Sequence, residues 1–335
     1  MTKTMTLSLC SSVLFTWLHI PLGAMFGPIV LFLFASKMGY ILTLPTHTPT
    51  IVQLILGLSI GMMVPSGFIT RDLPIMMFVG LVICLLGQIS LTYLWLNKKE
   101  RWSTTDSLLG SFPGAITAVL MLNDAQFTPS KKIIFTHVVR LLSLVVLSGL
   151  IASASPSDPV RYIYSNESYW LLLAVAITWA SGYTVEKIGI PTPYMVTGML
   201  VSMAITNVMP QSNITIPPIV VFIATSGLGA IIGCRLNNIT RQDVITNLRS
   251  GLITTVLSLG VTVIFAFGFS QILNQRFIVI LLSWMPGSIE SIMVTAIYLG
   301  LEPALIMLNH IARMMILHSL PLITKLSARA PNKHN

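Results

Sequence analysis

The sequence is poor in charge, and acidic side chains are the scarcest: 10 Asp and Glu against 19 Lys and Arg in 335 residues. At 9% charged, against roughly 25% in a soluble domain, the chain cannot cover a soluble domain with a hydrated exterior. That excludes a soluble enzyme and a disordered protein. Cysteine is equally scarce. Cys10, Cys84 and Cys234 lie in apolar runs without CxxC or ligand spacing, which excludes a secreted disulfide scaffold and reads as small buried hydrophobes. There are six histidines and no HxxxH, HExxH, Walker or GxSxG motif, so no catalytic residue, metal site or cofactor is expected. The formal charge of +9 comes from Lys and Arg scattered singly between apolar runs. That pattern argues against nucleic acid as a partner and fits loops retained on the positive side of a membrane.

What the chain has instead is apolar length. It is 54% hydrophobic with a mean hydropathy of +0.84. Apolar runs fall near 5–20, 22–38, 50–65, 74–96, 107–122 and 132–152, then near 169–187, 193–209, 216–234, 248–273, 277–298 and 303–323. Such runs predict an all-α polytopic membrane protein whose first partner is the lipid bilayer. The shorter runs barely span a hydrocarbon core of ~30 Å at ~1.5 Å per residue, so tilted, broken or re-entrant helices are expected. The N-terminal basic and apolar stretch lacks a small-x-small cleavage site and reads as a retained first helix. The expected division is a first membrane repeat over 1–152, a polar linker over 153–168, a second membrane repeat over 169–324 and a basic, solvated tail over 325–335.

The two halves echo each other. LGLSIG at 56–61 returns as LGAIIG at 228–233, and ITRD at 69–72 returns as ITRQD at 239–243. Pro113, Gly114, Ile116, His137 and Arg140 return as Pro286, Gly287, Ile289, His310 and Arg313, each displaced by 173 residues. Ile20 and Pro21 are echoed more weakly by Ile190 and Pro191. An ordered set with nearly constant displacement implies internal duplication.

Positive charge orients the halves. If all twelve runs cross, Lys and Arg divide 10 against 7 between the two sides, leaving out Arg140 and Arg313. If the two Pro-Gly segments enter and leave on one side, fourteen lie on one face: Lys3, Lys37, Lys98, Lys99, Arg101, Lys131, Lys132, Lys187, Arg235, Arg241, Arg249, Lys325, Arg329 and Lys333. Three, Arg71, Arg161 and Arg276, lie on the other. The second arrangement obeys the positive-inside rule better. It leaves five crossings per half, an odd number, so the repeats would be inverted, as in transporters with broken helices.

Three features could carry chemistry. His137 and Arg140 lie three apart and so share a helix face, as do His310 and Arg313. A charge at mid-bilayer depth costs about 2.5–3.5 kcal/mol, so the two arginines and Glu290 together cost roughly 8–10 kcal/mol, comparable with the ~5–15 kcal/mol of a whole domain. They are expected to face a polar cavity or one another. Two readings stand: ties that hold helices together through carbonyls, or a cationic centre for an anionic solute. The Pro113-Gly114 and Pro286-Gly287 breaks free backbone groups inside apolar runs. Such groups persist only where protein or a water-filled cavity satisfies them. The half-helix beginning near Ser288 would point its positive end at that cavity, or the breaks are simple kinks. Glu290 could ligate a cation or carry a proton; equally, it could stabilise the first turn of the half-helix or pair with an arginine. The first half has Thr117 in its place. Asn123 and Asp124 read as a C-terminal turn, Glu186 and Lys187 as an interfacial pair, and Gln88 and Asn309 as lesser candidates to line the cavity.

Two copies of a membrane unit with LGxxIG, then Pro-Gly, then HxxR, resemble the AbrB membrane-protein family over almost the whole chain. Pro286 to Glu290 resembles that family's PGG-hydrophobic-SE pattern, and His310 and Arg313 match its HxxR. In the first copy Pro113 and Gly114 match, but Thr117 replaces the acid. Gly27-Pro28 resembles the family's LLGP turn, of which the second copy keeps Gly198 and has Met199 for Pro. Some members are labelled ammonia monooxygenases and others regulators of gene expression. The resemblance implies a bacterial inner-membrane location and similarity to secondary transporters built from inverted five-helix repeats. A soluble DNA-binding regulator shares the name, and this chain does not resemble it.

The expected function is therefore secondary transport of a small, anionic solute. Arg140, Arg313, His137, His310, Ser288 and Asn309 would bind it, and Glu290 would couple it to an ion. The alternative is a membrane-embedded regulator without catalytic activity. The oxygenase label is disfavoured, because arginines beside His137 and His310 repel a metal ion. A homo-oligomer is compatible with either.

Overall fold

A computed structural model describes residues 2–20, 22–40, 42–63, 75–113, 131–154, 168–188, 190, 192–208, 216–234, 241–287 and 289–329. Of residues 2–3, 131, 134, 154, 168–169, 241–246 and 318–329 it describes the backbone alone. Gly114, Thr117, Asn123, Asp124 and Ser288 lie outside the described residues.

Among the described residues there are thirteen helices and no strand. The first half contributes α1 (Thr2–Trp17), α2 (Gly23–Lys37), α3 (Thr48–Met62), α4 (Ile75–Lys98), α5 (Thr104–Ser111) and α6 (Lys131–Ala154). The second contributes α7 (Ser168–Ile188), α8 (Pro193–Val208), α9 (Pro218–Cys234), α10 (Arg241–Leu273), α11 (Phe277–Trp284), α12 (Ile289–Tyr298) and α13 (Pro303–Arg329). Displaced by 173 residues, α5 falls on α11 residue for residue. The first residues of the expected tail are the helical end of α13. Among the described residues four helices are long and apolar enough to cross a membrane, over Ile75–Lys98, Phe135–Ser153, Trp170–Ile188 and Asn247–Leu273; shorter apolar helices accompany them.

The chain forms two compact units, each drawn from both halves of the sequence. The first comprises Met1–Leu73, Val145–Ile239 and Ile289–Met307. Its packing is reciprocal: α3 lies on α8 as α9 lies on α2, and α1 lies on α2 as α7 lies on α8. The LGxxIG stretches make these crossings. A Cβ added at Gly57 would meet the Met195 carbonyl, and one added at Gly61 would meet Ser202 and Met199. In the other crossing, Gly229 meets the Met25 carbonyl and Gly233 meets Phe32. Glycines four apart on one helix face let two backbones approach more closely than any side chain allows. Leu54, Leu58, Ala174, Tyr194 and Ile216 form a core of this unit.

The Gly27-Pro28 pair, expected as a turn, lies inside α2. Gly27 packs on the Ser11 carbonyl of α1. Pro28 has no N–H for the Ala24 carbonyl one turn back, and the Ser12 hydroxyl donates to that carbonyl instead at 2.7 Å. Ser226 of α9 stands 2.8 Å from the Ser12 oxygen and completes the contact. A helix interrupted by proline is thus kept continuous by a neighbour's hydroxyl, one of the repairs apolar helices use. Glu186 and Lys187, expected as a pair, each meet a tyrosine: Tyr194 donates to Glu186 at 2.9 Å, and the Lys187 ammonium lies 4.4 Å from the Tyr183 ring centre. Of the cysteines, Cys84 is buried but Cys10 is exposed; α1 turns it away from the interior.

The second unit comprises Pro74–Leu144, Thr240–Ser288 and Leu308–Asn335. Here α4 packs along α10, and the short helices α5 and α11 pack against α4 and α10 respectively. Leu85, Leu96, Trp102, Leu109, Phe112, Ile133 and Leu317 make its core.

Candidate functional site

The second unit holds two short helices that stop abruptly. Ser103 caps α5, accepting a hydrogen bond from the Asp106 amide at 3.1 Å, and the Asp106 charge favours the same helix start. Lys132 of α6 pairs with Asp106 at 2.7 Å and lies 4.8 Å from the Trp102 ring centre. The helix ends because Pro113 drives the preceding residue into an extended conformation: Phe112 has φ −63° and ψ 117°. Before Pro286, Met285 ends α11 in the same way, with φ −61° and ψ 130°.

A helix that stops leaves its last carbonyls without intrahelical donors, and when the end is buried something else must satisfy them. The HxxR pairs do so. His137 Nε2 donates to the Leu109 carbonyl at 3.1 Å, and Arg140 donates to the carbonyls of Gly110 and Phe112, both at 2.8 Å. At the second break His310 Nε2 donates to the Leu282 carbonyl at 2.8 Å. Arg313 donates to the carbonyls of Met285 and, at 3.1 Å, Gly287. Two of the three bonds at each break coincide when both partners are moved by 173 residues; the second arginine contact differs, Arg140 reaching back to Gly110 and Arg313 forward to Gly287. The spacing of three on one helix face brings the imidazole and the guanidinium to the same helix end. A cation at a helix C-terminus also gains from the helix dipole.

Both guanidinium groups are buried, Arg140 at 2% exposure and Arg313 at 1%, and both belong to the second unit. Their carbonyl partners accept hydrogen bonds without cancelling charge. In each guanidinium the Nε–H has no partner among the described residues.

The second break carries an additional polar support. Gln88 of α4, fully buried, donates through Nε2 to the Trp284 carbonyl at 3.2 Å and to Thr262 Oγ1 at 2.8 Å, with Cys84 Sγ at 3.4 Å. Trp284 itself is fully buried and meets Phe269 edge to face, ring centres 5.2 Å apart. Moved by 173, Gln88 falls on Val261, so the first break has no such donor at that position. Asn309 is buried, its amide donating to Met77 Sδ at 3.6 Å.

The second unit therefore holds Pro113, His137, Arg140, Pro286, Gly287, Asn309, His310 and Arg313. Glu290 belongs to the first unit, in the first turn of α12. Thr262 and Trp284 join the site without having been singled out, as does Cys84, which the sequence marked only as a small buried hydrophobe. Their only signal was a glutamine in an apolar run, and main-chain acceptors leave none.

The family model described as "Transition state regulatory protein AbrB" matches residues 24–328. The chain belongs to the AbrB family. An Escherichia coli (strain K12) protein named "Putative regulator AbrB" is 22% identical over 338 residues, covering 98% of this chain and 96% of that protein. No solved structure matches the chain. Pro286 to Glu290 and the two HxxR pairs, which carried the resemblance to the AbrB family, all lie within the matched residues.

Proposed function

We propose that the protein is a multi-pass permease of the bacterial inner membrane for a small, anionic solute. It is built from two inverted repeats of five crossings, each with one broken or re-entrant helix. The observation that carries the reading is the paired capture of a broken helix by a buried arginine. Two like charges, buried in one unit and held by neutral acceptors, favour an anion over any other solute. At eight residues α5 and α11 are each about 12 Å long, too short to cross alone. The reciprocal packing and the 173-residue displacement support duplication. In this reading the protein catalyses no covalent step; His137 and His310 hold carbonyls beside the anion, and Glu290 couples its movement to an ion.

The test is solute uptake by purified protein in proteoliposomes, with candidates found by screening anions and amino acids for thermal stabilisation. Loss of uptake in Arg140→Ala together with Arg313→Ala is expected. Unchanged uptake in that variant refutes the reading.

The names of the family model and of the Escherichia coli relative favour a second reading, a membrane-embedded regulator that acts through a partner. Deleting residues 325–335 separates the two: regulation lost with folding and uptake intact supports a docking role for the tail.

A further inference from the structure

The first unit contains a cavity of about 400 Å³, within the ~300–1,000 Å³ typical of small-molecule sites, and none of the arginine cluster lines it. Its floor is apolar and closed: Leu56 is fully buried, and Val294 and Ile297 are 6% and 5% exposed. Its mouth lies where four helices end or begin. There α1 has just ended, α2 and α9 start, and α12 finishes at Tyr298. The polarity is graded. Thr16, His19 and Tyr298 stand exposed at the rim, and no carboxylate is among the described residues that line it. Among the described residues His19 is the one basic side chain there. The first turn of α2 also lines the mouth, and its cap residue Leu22 contributes no side-chain acceptor.

We infer that this cavity binds an amphiphilic carboxylate: a straight apolar tail against Leu56, Val294 and Ile297, with the carboxylate at His19. An apolar shaft that opens among helix ends suits a molecule entering from the bilayer's interface, and a basic rim without acids complements an anionic head. The inference rests on the membrane reading, but not on transport.

The test uses the full chain in lipid nanodiscs and follows quenching of tryptophan fluorescence by 2-bromoundecanoate, whose bromine sits beside the carboxylate; Trp17 adjoins the rim residue Thr16 and is 74% exposed. Saturable quenching, lost in Trp17→Phe, is expected. Ala24→Phe, which fills the cavity, weakens binding at least about tenfold, and Val221→Trp does the same should the first variant fail to fold. His19→Ala weakens the acid about tenfold and leaves 2-bromoundecanol unaffected. Propionate, a head without a tail, does not compete. Equal binding by Ala24→Phe and Val221→Trp overturns the site. Equal binding of acid and alcohol overturns the carboxylate, as does quenching by bromine-labelled phosphatidylcholine that Ala24→Phe abolishes, which would make a bilayer lipid the occupant. Because the readout is binding, failed uptake leaves it standing, whereas failure to enter nanodiscs refutes the membrane reading itself.

Discussion

Replacing Arg313 by lysine keeps the charge and removes the fork, which separates the two things the residue does. In the native chain the guanidinium serves two main-chain acceptors, those of Met285 and Gly287. An ammonium is a single point of charge on a flexible stem and would serve one of them. The orphaned carbonyl then costs about 1–3 kcal/mol, the penalty for a buried acceptor left without a donor. Arg313→Ala orphans both, for about 2–6 kcal/mol, less whatever is recovered by removing a buried charge. The expected order of stability is native, then lysine, then alanine. At about 2 °C per kcal/mol for a long chain, the lysine variant should melt roughly 2–6 °C lower. Thermal unfolding in nanodiscs, followed by tryptophan fluorescence, reads this directly. Since α5 and α11 are held by different arginines, Arg140→Lys should show the same loss, and the two together should nearly add. A lysine variant as stable as the native protein would show that the carbonyl contacts do not hold the breaks.

Gln88→Leu should destabilise by about 1–3 kcal/mol, because the Trp284 carbonyl loses its buried donor, while Val261→Gln at the 173-displaced position should not stabilise; unfolding midpoints check both. Gly57→Val and Gly229→Val should each disrupt assembly, since the new side chain meets a backbone carbonyl. Gly260→Ala and Gly268→Ala, where nothing lies within 4 Å, should gain about 0.5–1 kcal/mol of helix propensity, read by the yield of monodisperse protein and by melting. Ser12→Ala should cost about 1–3 kcal/mol by orphaning the Ala24 carbonyl, and adding Pro28→Ala should recover most of it by restoring the N–H; a double-mutant cycle without coupling would refute that pairing.

Most apolar runs marked their helices to within about three residues, because each run is a local property of the chain; the polar start of α10 over 241–247 and the polar end of α13 over 324–329 lay outside their runs. The breaks were legible for the same reason: Pro113 and Pro286 act on the residue before them wherever they stand. The HxxR pairs were legible as costly charges, but their partners were not, since Gly110, Phe112, Met285 and Gly287 contribute only main-chain oxygen. The LGxxIG stretches could be recognised as repeated without their use being visible, because Gly57 matters through Met195, a residue 138 positions away in the chain. Gly27-Pro28 misled as a turn because proline's missing donor is repaired by Ser12, on another helix. Nor does anything in the order of the apolar runs reveal that both compact units draw on both halves.

Because the groups that receive Arg140 and Arg313 are peptide oxygens, tolerance to mutation should be lopsided. At the end of α5 and in the breaks that follow α5 and α11, the residues bearing those oxygens can change their side chains, within the limits of packing, and leave the latch intact. At positions 140 and 313 no other amino acid offers a planar fork of donors of that reach. Saturation mutagenesis should therefore find two isolated immovable positions facing helices whose own sequences drift.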